Sequence, residues 1–170
     1  AFNYSYSEVH GYVALVVCIF GCIANSLNII VLTRHEMRSP TNAILTGLAI
    51  ADFLVMVEYI PYAYYVVKDL DTEHRFSYGW AWYVMFHALF AQMLHTISIW
   101  LTVTLAIWRY IAVAHPQRNR LWSNMRTTMI TITMSYIVCP LLVIPMYFTF
   151  QISRFDVCLL YTSPSPRDRG

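Results

Sequence analysis

Four long blocks of apolar residues, separated by short polar segments, dominate the sequence. They run over residues 13–32, 43–67, 82–114 and 127–150. A helix rises about 1.5 Å per residue, so about 20 apolar residues cross a hydrocarbon core of about 30 Å. Each block is long enough for one crossing. The pattern therefore predicts an all-α transmembrane helix bundle with four spans.

Composition supports a membrane protein over a soluble domain. Hydrophobic residues make up 58% of the chain and charged residues 12%, whereas soluble domains carry about 25% charged residues. The net charge of +2 is small, and the basic residues do not cluster on one predicted face. We therefore expect the lipid bilayer, and no nucleic acid, as a partner.

The loop charges predict the orientation of the helices. The connection between the first two blocks carries Arg34 and Arg38, the connection between the last two carries further arginines, and the segment before the first block has neither Lys nor Arg. The positive-inside rule places the amino terminus outside. Asn3 begins the sequon Asn-Tyr-Ser on that side, which makes it a candidate glycosylation site.

Polar side chains inside the predicted spans are candidates for a functional site, because a charge near the bilayer centre costs roughly 2.5 kcal/mol or more. Asp52 lies near the middle of the second span, with Asn25 and Ser98 at similar depth in the first and third. Two interpretations stay open from spacing alone. The three groups bind Na⁺ with water, or they form a hydrogen-bonded packing cluster, which spacing favours slightly.

A second polar group lies toward the outer ends of the second and third spans. Glu58 and Tyr62 are four residues apart on one helix face, and Gln92 and His95 share a face of the third helix. We interpret these residues, together with His87, as the lining of an outward-facing ligand cavity. The alternative is that the tyrosines and histidines are interfacial anchors, as in aromatic belts.

No motif predicts catalysis or an organic cofactor. The sequence has no nucleophile elbow, phosphate-binding glycine-rich loop, zinc-binding His-Glu motif or dinucleotide fingerprint. His87 and His95 lie eight residues apart, which is not a tight metal-ligand spacing. We therefore predict that the protein is not an enzyme, with Na⁺ as the one candidate ion.

Several motifs, in a fixed order, resemble those of rhodopsin-like G-protein-coupled receptors. The runs RSPTN at residues 38–42 and LAIAD at 48–52 are similar to the first inner loop and second helix of that family. The run GCIAN at residues 21–25 resembles part of its first helix. The run RYIAVAHP at residues 109–116 is similar to the inner end of its third helix and the loop that follows.

This resemblance implies a fold, a location and partners. Residues 12–156 would form helices one to four of a seven-helix receptor in the plasma membrane, after an extracellular segment at residues 1–11. The implied partners are an extracellular peptide and a heterotrimeric G protein. Local detail, including the sequence around Glu58 and the run Trp108-Arg109-Tyr110, resembles receptors for myosuppressin and other FMRFamide-like neuropeptides.

The resemblance also assigns roles to residues. Asn25, Asp52 and Ser98 match three members of the family's sodium site, so the sodium interpretation now takes precedence over the packing interpretation. The inner end of the third helix matches the part of the receptor that meets the G protein. The implied G-protein-coupling residues are Arg109, Tyr110 and Pro116.

The sequence departs from the family at three places. Trp108 stands where an acidic residue normally restrains the following arginine, which puts the usual restraint on Arg109 in doubt. Val84 replaces the cysteine at the outer end of the third helix, so the usual bridge to the second outer loop cannot form. Ser135 and Tyr136 lie where the fourth helix normally carries a tryptophan.

Residues 157–170 differ in character from the spans before them. Their sequence, VCLLYTSPSPRDRG, resembles translated adaptor read-through, and a genuine Pro/Ser-rich loop is the alternative. We expect the chain to represent the N-terminal half of a receptor. The competing hypothesis is a complete four-span scaffold or transporter subunit, which would explain the hydropathy but not the ordered motifs.

Overall fold

The computed structural model describes residues 2–67, 78–117 and 123–149 and, within them, is built from helices without strands. The helices are α1 (Phe2–Leu32), α2 (Pro40–Val67), α3 (Tyr78–Ala114) and α4 (Met125–Tyr147), and a short 3₁₀ turn at His35–Met37 joins α1 to α2. All four helices are long and apolar enough to cross a membrane. The predicted all-α class and the four spans are confirmed.

The first three apolar blocks end where their helices end, at Leu32, Val67 and Ala114. The fourth block was predicted to run to residue 150, but α4 ends at Tyr147, and α1 begins earlier than predicted, at Phe2. Its stretch long and apolar enough to cross a membrane begins at Val9. Backbone hydrogen bonds of a helix are local, so α1 continues through polar residues that lie outside the hydrocarbon. Hydropathy therefore marks the membrane-spanning part of a helix and not its first residue.

In the turn between α1 and α2, the residues of the run RSPTN form the hydrogen bonds that begin α2. The Ser39 hydroxyl accepts a hydrogen bond from the Asn42 backbone N–H at 3.2 Å and so caps α2. Pro40 takes the first helical position, where the missing N–H has no intrahelical partner to lose. The Asn42 side-chain amide donates to the Met37 carbonyl at 2.5 Å, which ties the turn to α2.

α1 packs along α2 where a glycine allows close approach. A Cβ added at Gly21 would lie 3.1 Å from Met56 Cγ, so a larger residue would force this side chain to move. Cys18, one turn earlier, is a buried free cysteine. Small residues at such contacts let membrane helices pack closely, which replaces the missing hydrophobic force between helices in lipid.

The apolar core lies between α2, α3 and α4. Leu94, Ile97 and Leu101 follow one another at spacings of three and four, which places them on one face of α3. All three are almost fully buried. The buried members of the core are Ile44, Ala51, Val55, Leu94, Ile97, Leu101 and Cys139.

Gly47 marks the place where α4 docks onto α2 and α3. A Cβ at this position would lie 3.3 Å from Ile132 Cγ2 and 3.4 Å from Leu101 Cδ1. The Tyr136 hydroxyl donates to the Gly47 carbonyl at 2.7 Å. Tyr136 therefore links α4 to α2 at the depth where the resemblance led us to expect a tryptophan.

We expect Gly47→Val to destabilise the helix bundle by about 1–3 kcal/mol, because the added methyl groups have to displace Ile132 or Leu101. Thermal unfolding of the purified chain in detergent micelles measures the change. Gly79→Val is the matched control, since nothing lies within 4 Å of a Cβ at that position. Equal effects of the two substitutions would contradict the packing explanation.

Candidate functional site

A carboxylate and an imidazole form a direct contact between the outer halves of α2 and α3. His87 Nδ1 lies 2.7 Å from each carboxylate oxygen of Glu58. The Glu58 and His87 side chains are only 10% and 13% exposed. When the Glu58 carboxylate is ionised it can only accept hydrogen bonds, and His87 Nδ1 is then the donor. The structure thus brings together two of the predicted ligand residues.

Aromatic rings surround this pair. The Tyr62 ring stacks on the His87 imidazole, with ring centroids 4.4 Å apart and an interplanar angle of 9°. Trp80 stacks on Tyr62, with centroids 6.2 Å apart. The Tyr83 hydroxyl donates to the Glu58 backbone carbonyl at 3.2 Å. We call this group the outer cluster; its members are Glu58, Tyr59, Tyr62, Trp80, Tyr83 and His87.

Tyr59, Trp80 and Tyr83 were not predicted from the sequence as site residues. A signal for the two on α3 is present, because Trp80, Tyr83 and His87 follow at i, i+3 and i+7 and so share one helix face. Tyr59 lies with its ring centroid 5.4 Å from that of His87. Its contact depends on the rotation of α2 about its own axis, which sequence spacing does not define.

Gln92 and His95 lie apart from the outer cluster. Both side chains are exposed, on the side of α3 that the described helices leave uncovered. Leu94 and Ile97, by contrast, are buried in the core. The predicted ligand residues therefore divide into a closed group around Glu58 and an open face of α3. The role of the open face in ligand binding stays a prediction.

Asp52 on α2 and Ser98 on α3 meet near mid-depth. The Ser98 hydroxyl donates to Asp52 Oδ1 at 2.9 Å. The Asn25 amide donates to the Gly21 carbonyl of its own helix at 3.0 Å. The structure therefore joins two of the three predicted sodium ligands directly, while the third bonds within α1.

The donor set at this position fits a hard cation. A carboxylate and a hydroxyl supply oxygen atoms, the ligands that hard cations prefer. Within the described residues Asp52 forms no ion pair with Lys, Arg or His. Because an uncompensated carboxylate inside a bilayer is costly, a cation that neutralises Asp52 suits the site.

The predicted G-protein-coupling residues lie exposed at the inner end of the bundle. Arg109, Tyr110 and Pro116 all have exposed side chains, and Arg109 has no ion pair among the residues that the structure describes. Trp108, immediately before them, is half-buried and packs against the core. The position that carries an acidic group in the family thus contributes apolar packing in this chain.

Some predictions concern residues that lie outside the described part of the chain. Asn3 lies in the first turn of α1, but its side chain is outside the described part. Residues 157–170, including Cys158, are outside it as well. The glycosylation site and the read-through interpretation stay predictions. Val84 is half-buried on α3, consistent with an apolar residue in place of a disulfide cysteine.

Four apolar spans with polar contacts between them define a multi-pass helical membrane protein. Residues 12–163 match the family described as serpentine type 7TM GPCR chemoreceptor Srw. The chain belongs to this family of seven-transmembrane G-protein-coupled receptors, whose usual location is the plasma membrane. The match extends into the segment 157–170 and does not test its origin.

The curated relatives are signalling receptors rather than enzymes. The chain is 36% identical over 135 residues to G-protein coupled receptor dmsr-1 of Caenorhabditis elegans, which covers 77% of this chain and 25% of the relative. It is 38% identical over 120 residues to the sex peptide receptor of Drosophila melanogaster, and this match covers 69% of this chain and 27% of the relative. It is 34% identical over 145 residues to prokineticin receptor 2 of Homo sapiens, and this match covers 79% of this chain and 34% of the relative.

The chain thus spans about a quarter to a third of the length of these relatives. The family match explains the ordered motifs, and it lends no support to the competing hypothesis of a scaffold or transporter subunit.

We expect Glu58→Gln and His87→Phe to be non-additive in stability, with an interaction energy of about 0.5–3 kcal/mol. Each single substitution leaves the other polar group without its partner in a largely buried site, and Phe keeps a ring to stack on Tyr62. Unfolding of the single and double variants in detergent measures the energy. Glu58→Gln with His95→Phe is the control pair, since His95 is exposed; additivity in both pairs would argue against the contact.

Proposed function

We propose that this chain forms part of a receptor that transduces an extracellular neuropeptide signal to a heterotrimeric G protein. Membership of the seven-transmembrane receptor family supports signalling as the function. The largely buried Glu58 carboxylate at the outer side is the observation that favours a peptide with a basic residue. The myosuppressin and FMRFamide-like class follows from the resemblance of the local sequence.

In this proposal the guanidinium of a peptide arginine pairs with Glu58. An arginine offers two parallel N–H donors that match both oxygens of a carboxylate, whereas the imidazole of His87 offers one N–H at this contact. The peptide therefore displaces His87 from Glu58, and the ring of Tyr62, which stacks on His87, adjusts with it. Gln92 and His95, on the open face of α3, contact the remainder of the peptide.

Displacement of His87 links ligand binding to the relative position of α2 and α3. A ligand shifts a two-state equilibrium only as far as its affinities for the two states differ. A peptide that replaces the Glu58–His87 contact favours the state in which this contact is open. In that state the inner end of α3 presents Arg109 and Tyr110, and the following loop from Pro116, to the G protein.

The same receptor takes Na⁺ at Asp52 and Ser98, with Asn25 of α1 as the third predicted ligand, as an allosteric ion. The Asp52 carboxylate supplies the charge and the Ser98 hydroxyl an additional oxygen. A cation at this depth joins α2 to α3 and stabilises the form of the bundle in which the two side chains are close, and this form is the resting one.

The complete receptor should melt at a higher temperature in sodium chloride than in choline chloride at equal ionic strength, because an ion that binds the folded state stabilises it. We expect Asp52→Asn to abolish this difference and Ser98→Ala to reduce it. Thr102→Ala is the matched control, since the exposed Thr102 hydroxyl donates to the Ser98 backbone carbonyl of its own helix. A full sodium response in Asp52→Asn would refute the site.

Glu58→Gln in the complete receptor should lower the potency of peptides ending in Arg-Phe-amide by about tenfold or more. A hydrogen bond to a charged group contributes about 1.5–3 kcal/mol, and 1.4 kcal/mol is a tenfold change. Peptides with citrulline in place of arginine should lose little, which cell-based dose–response curves measure. Glu36→Gln, an exposed carboxylate in the inner turn, is the control. Equal losses for both peptides would contradict the pairing.

A further inference from the structure

The imidazole of His87 makes two kinds of contact in the outer cluster, one through its edge and one through its face. At the edge, Nδ1 lies 2.7 Å from both carboxylate oxygens of Glu58. The face stacks on the Tyr62 ring, with ring centroids 4.4 Å apart and an interplanar angle of 9°. The place that His87 occupies therefore suits a flat group that carries its hydrogen-bond donors in its own plane.

The Tyr62 ring also contacts aromatic rings other than that of His87. It lies almost parallel to the Trp80 ring, at an interplanar angle of 4° and a centroid distance of 6.2 Å. On its own helix it contacts Tyr59, with ring centroids 5.5 Å apart. Departure of His87 from Glu58 therefore leaves Tyr62 with these two neighbours, and it uncovers the ring face on which the imidazole lay.

The two basic side chains that a peptide can offer to a carboxylate differ in shape. The N–H donors of arginine lie in the plane of its guanidinium, so this group can meet both carboxylate oxygens while its face stacks on an aromatic ring. The lysine ammonium is a compact point charge with three donors and has no flat face. Aromatic rings attract both cations, but arginine is the one that can pair edge-on and stack face-on at the same time.

We propose that Tyr62 makes the receptor select arginine over lysine in its peptide ligand. This selectivity rests on the proposed pairing of a peptide arginine with Glu58. In the bound state the guanidinium takes over both contacts of the His87 imidazole, the edge contact with Glu58 and the face contact with Tyr62. The adjustment of Tyr62 on binding is then the exchange of one flat partner for another, while Trp80 holds the Tyr62 ring in position.

The contribution of Tyr62 is separable from that of Glu58. Arginine and lysine carry the same charge, so the Glu58 carboxylate attracts both, and its two oxygens favour arginine only through the geometry of the pair. The part of the selectivity that stacking supplies depends on the aromatic face. It should disappear when Tyr62 becomes an aliphatic residue and remain when Tyr62 becomes Phe, which keeps the ring.

The test compares three peptides that differ only in carrying arginine, lysine or citrulline at one position, on cells that express the complete receptor. Wild type should respond to the arginine peptide at about tenfold lower concentration than to the lysine peptide, as expected for a partly desolvated stacking contact. Tyr62→Leu should reduce this ratio to about threefold or less, and Tyr62→Phe should retain it. Tyr64→Leu is the matched control, because Tyr64 is an exposed tyrosine of α2 outside the outer cluster.

The peptides act on the same cells, so the number of receptors at the surface cancels in the potency ratio. Equal loss of potency for the arginine and lysine peptides in Tyr62→Leu would show a structural role and overturn the proposal, as would an equal change of the ratio in Tyr64→Leu. Arginine and lysine peptides of equal potency in wild type, both stronger than citrulline, would overturn the selectivity and leave the Glu58 pairing intact. An arginine peptide no stronger than the citrulline peptide would overturn the pairing itself, and the selectivity with it.

Discussion

Inside a bilayer a polar side chain has no water to bond with, and the arrangement of these helices depends on that constraint. Lipid tails are as apolar as leucine, so burial of apolar surface does little to distinguish a neighbouring helix from lipid. Two other features distinguish a neighbouring helix from lipid. One is hydrogen bonding between helices, and the other is the presence of glycines that let two helices approach closely. The contacts of this kind in the described residues include Glu58–His87, Asp52–Ser98 and Tyr136–Gly47.

These contacts lie at different depths and have different consequences. Glu58 and His87 meet at the outer half of the bundle, where the proposed peptide would compete for the carboxylate. Asp52 is six residues further along α2 toward the inner side, where it accepts a hydrogen bond from Ser98, and a carboxylate at this position suits a small cation. The Tyr136 hydroxyl bonds to a backbone carbonyl, and neither group carries a charge. This contact therefore suits a constant structural link between α4 and α2. Hydrogen bonds between helices would thus serve both as contacts that a ligand exchanges and as constant structural links.

The sequence was sufficient to predict the spans and to place Asp52 and Ser98 at the same level of their helices, because hydropathy and the rise per residue are one-dimensional quantities. It was not sufficient to predict which side chains meet. That depends on the rotation of each helix about its axis, as Gln92 illustrates by facing away from the outer cluster. The Asn25 amide donates to a backbone carbonyl of its own helix. Its predicted level in the bundle is compatible with this local bond as well as with a contact to Asp52.

Trp108 has a further consequence for how the inner end of the receptor responds to its surroundings. An acidic residue at this position, as in rhodopsin-like receptors, could be protonated, and salt would screen its attraction to the following arginine. An indole does not titrate, and its packing against the core is not screened by ions. Any restraint that this residue supplies depends on how tightly the helices pack, so temperature and bilayer composition, not cytoplasmic pH, would regulate it.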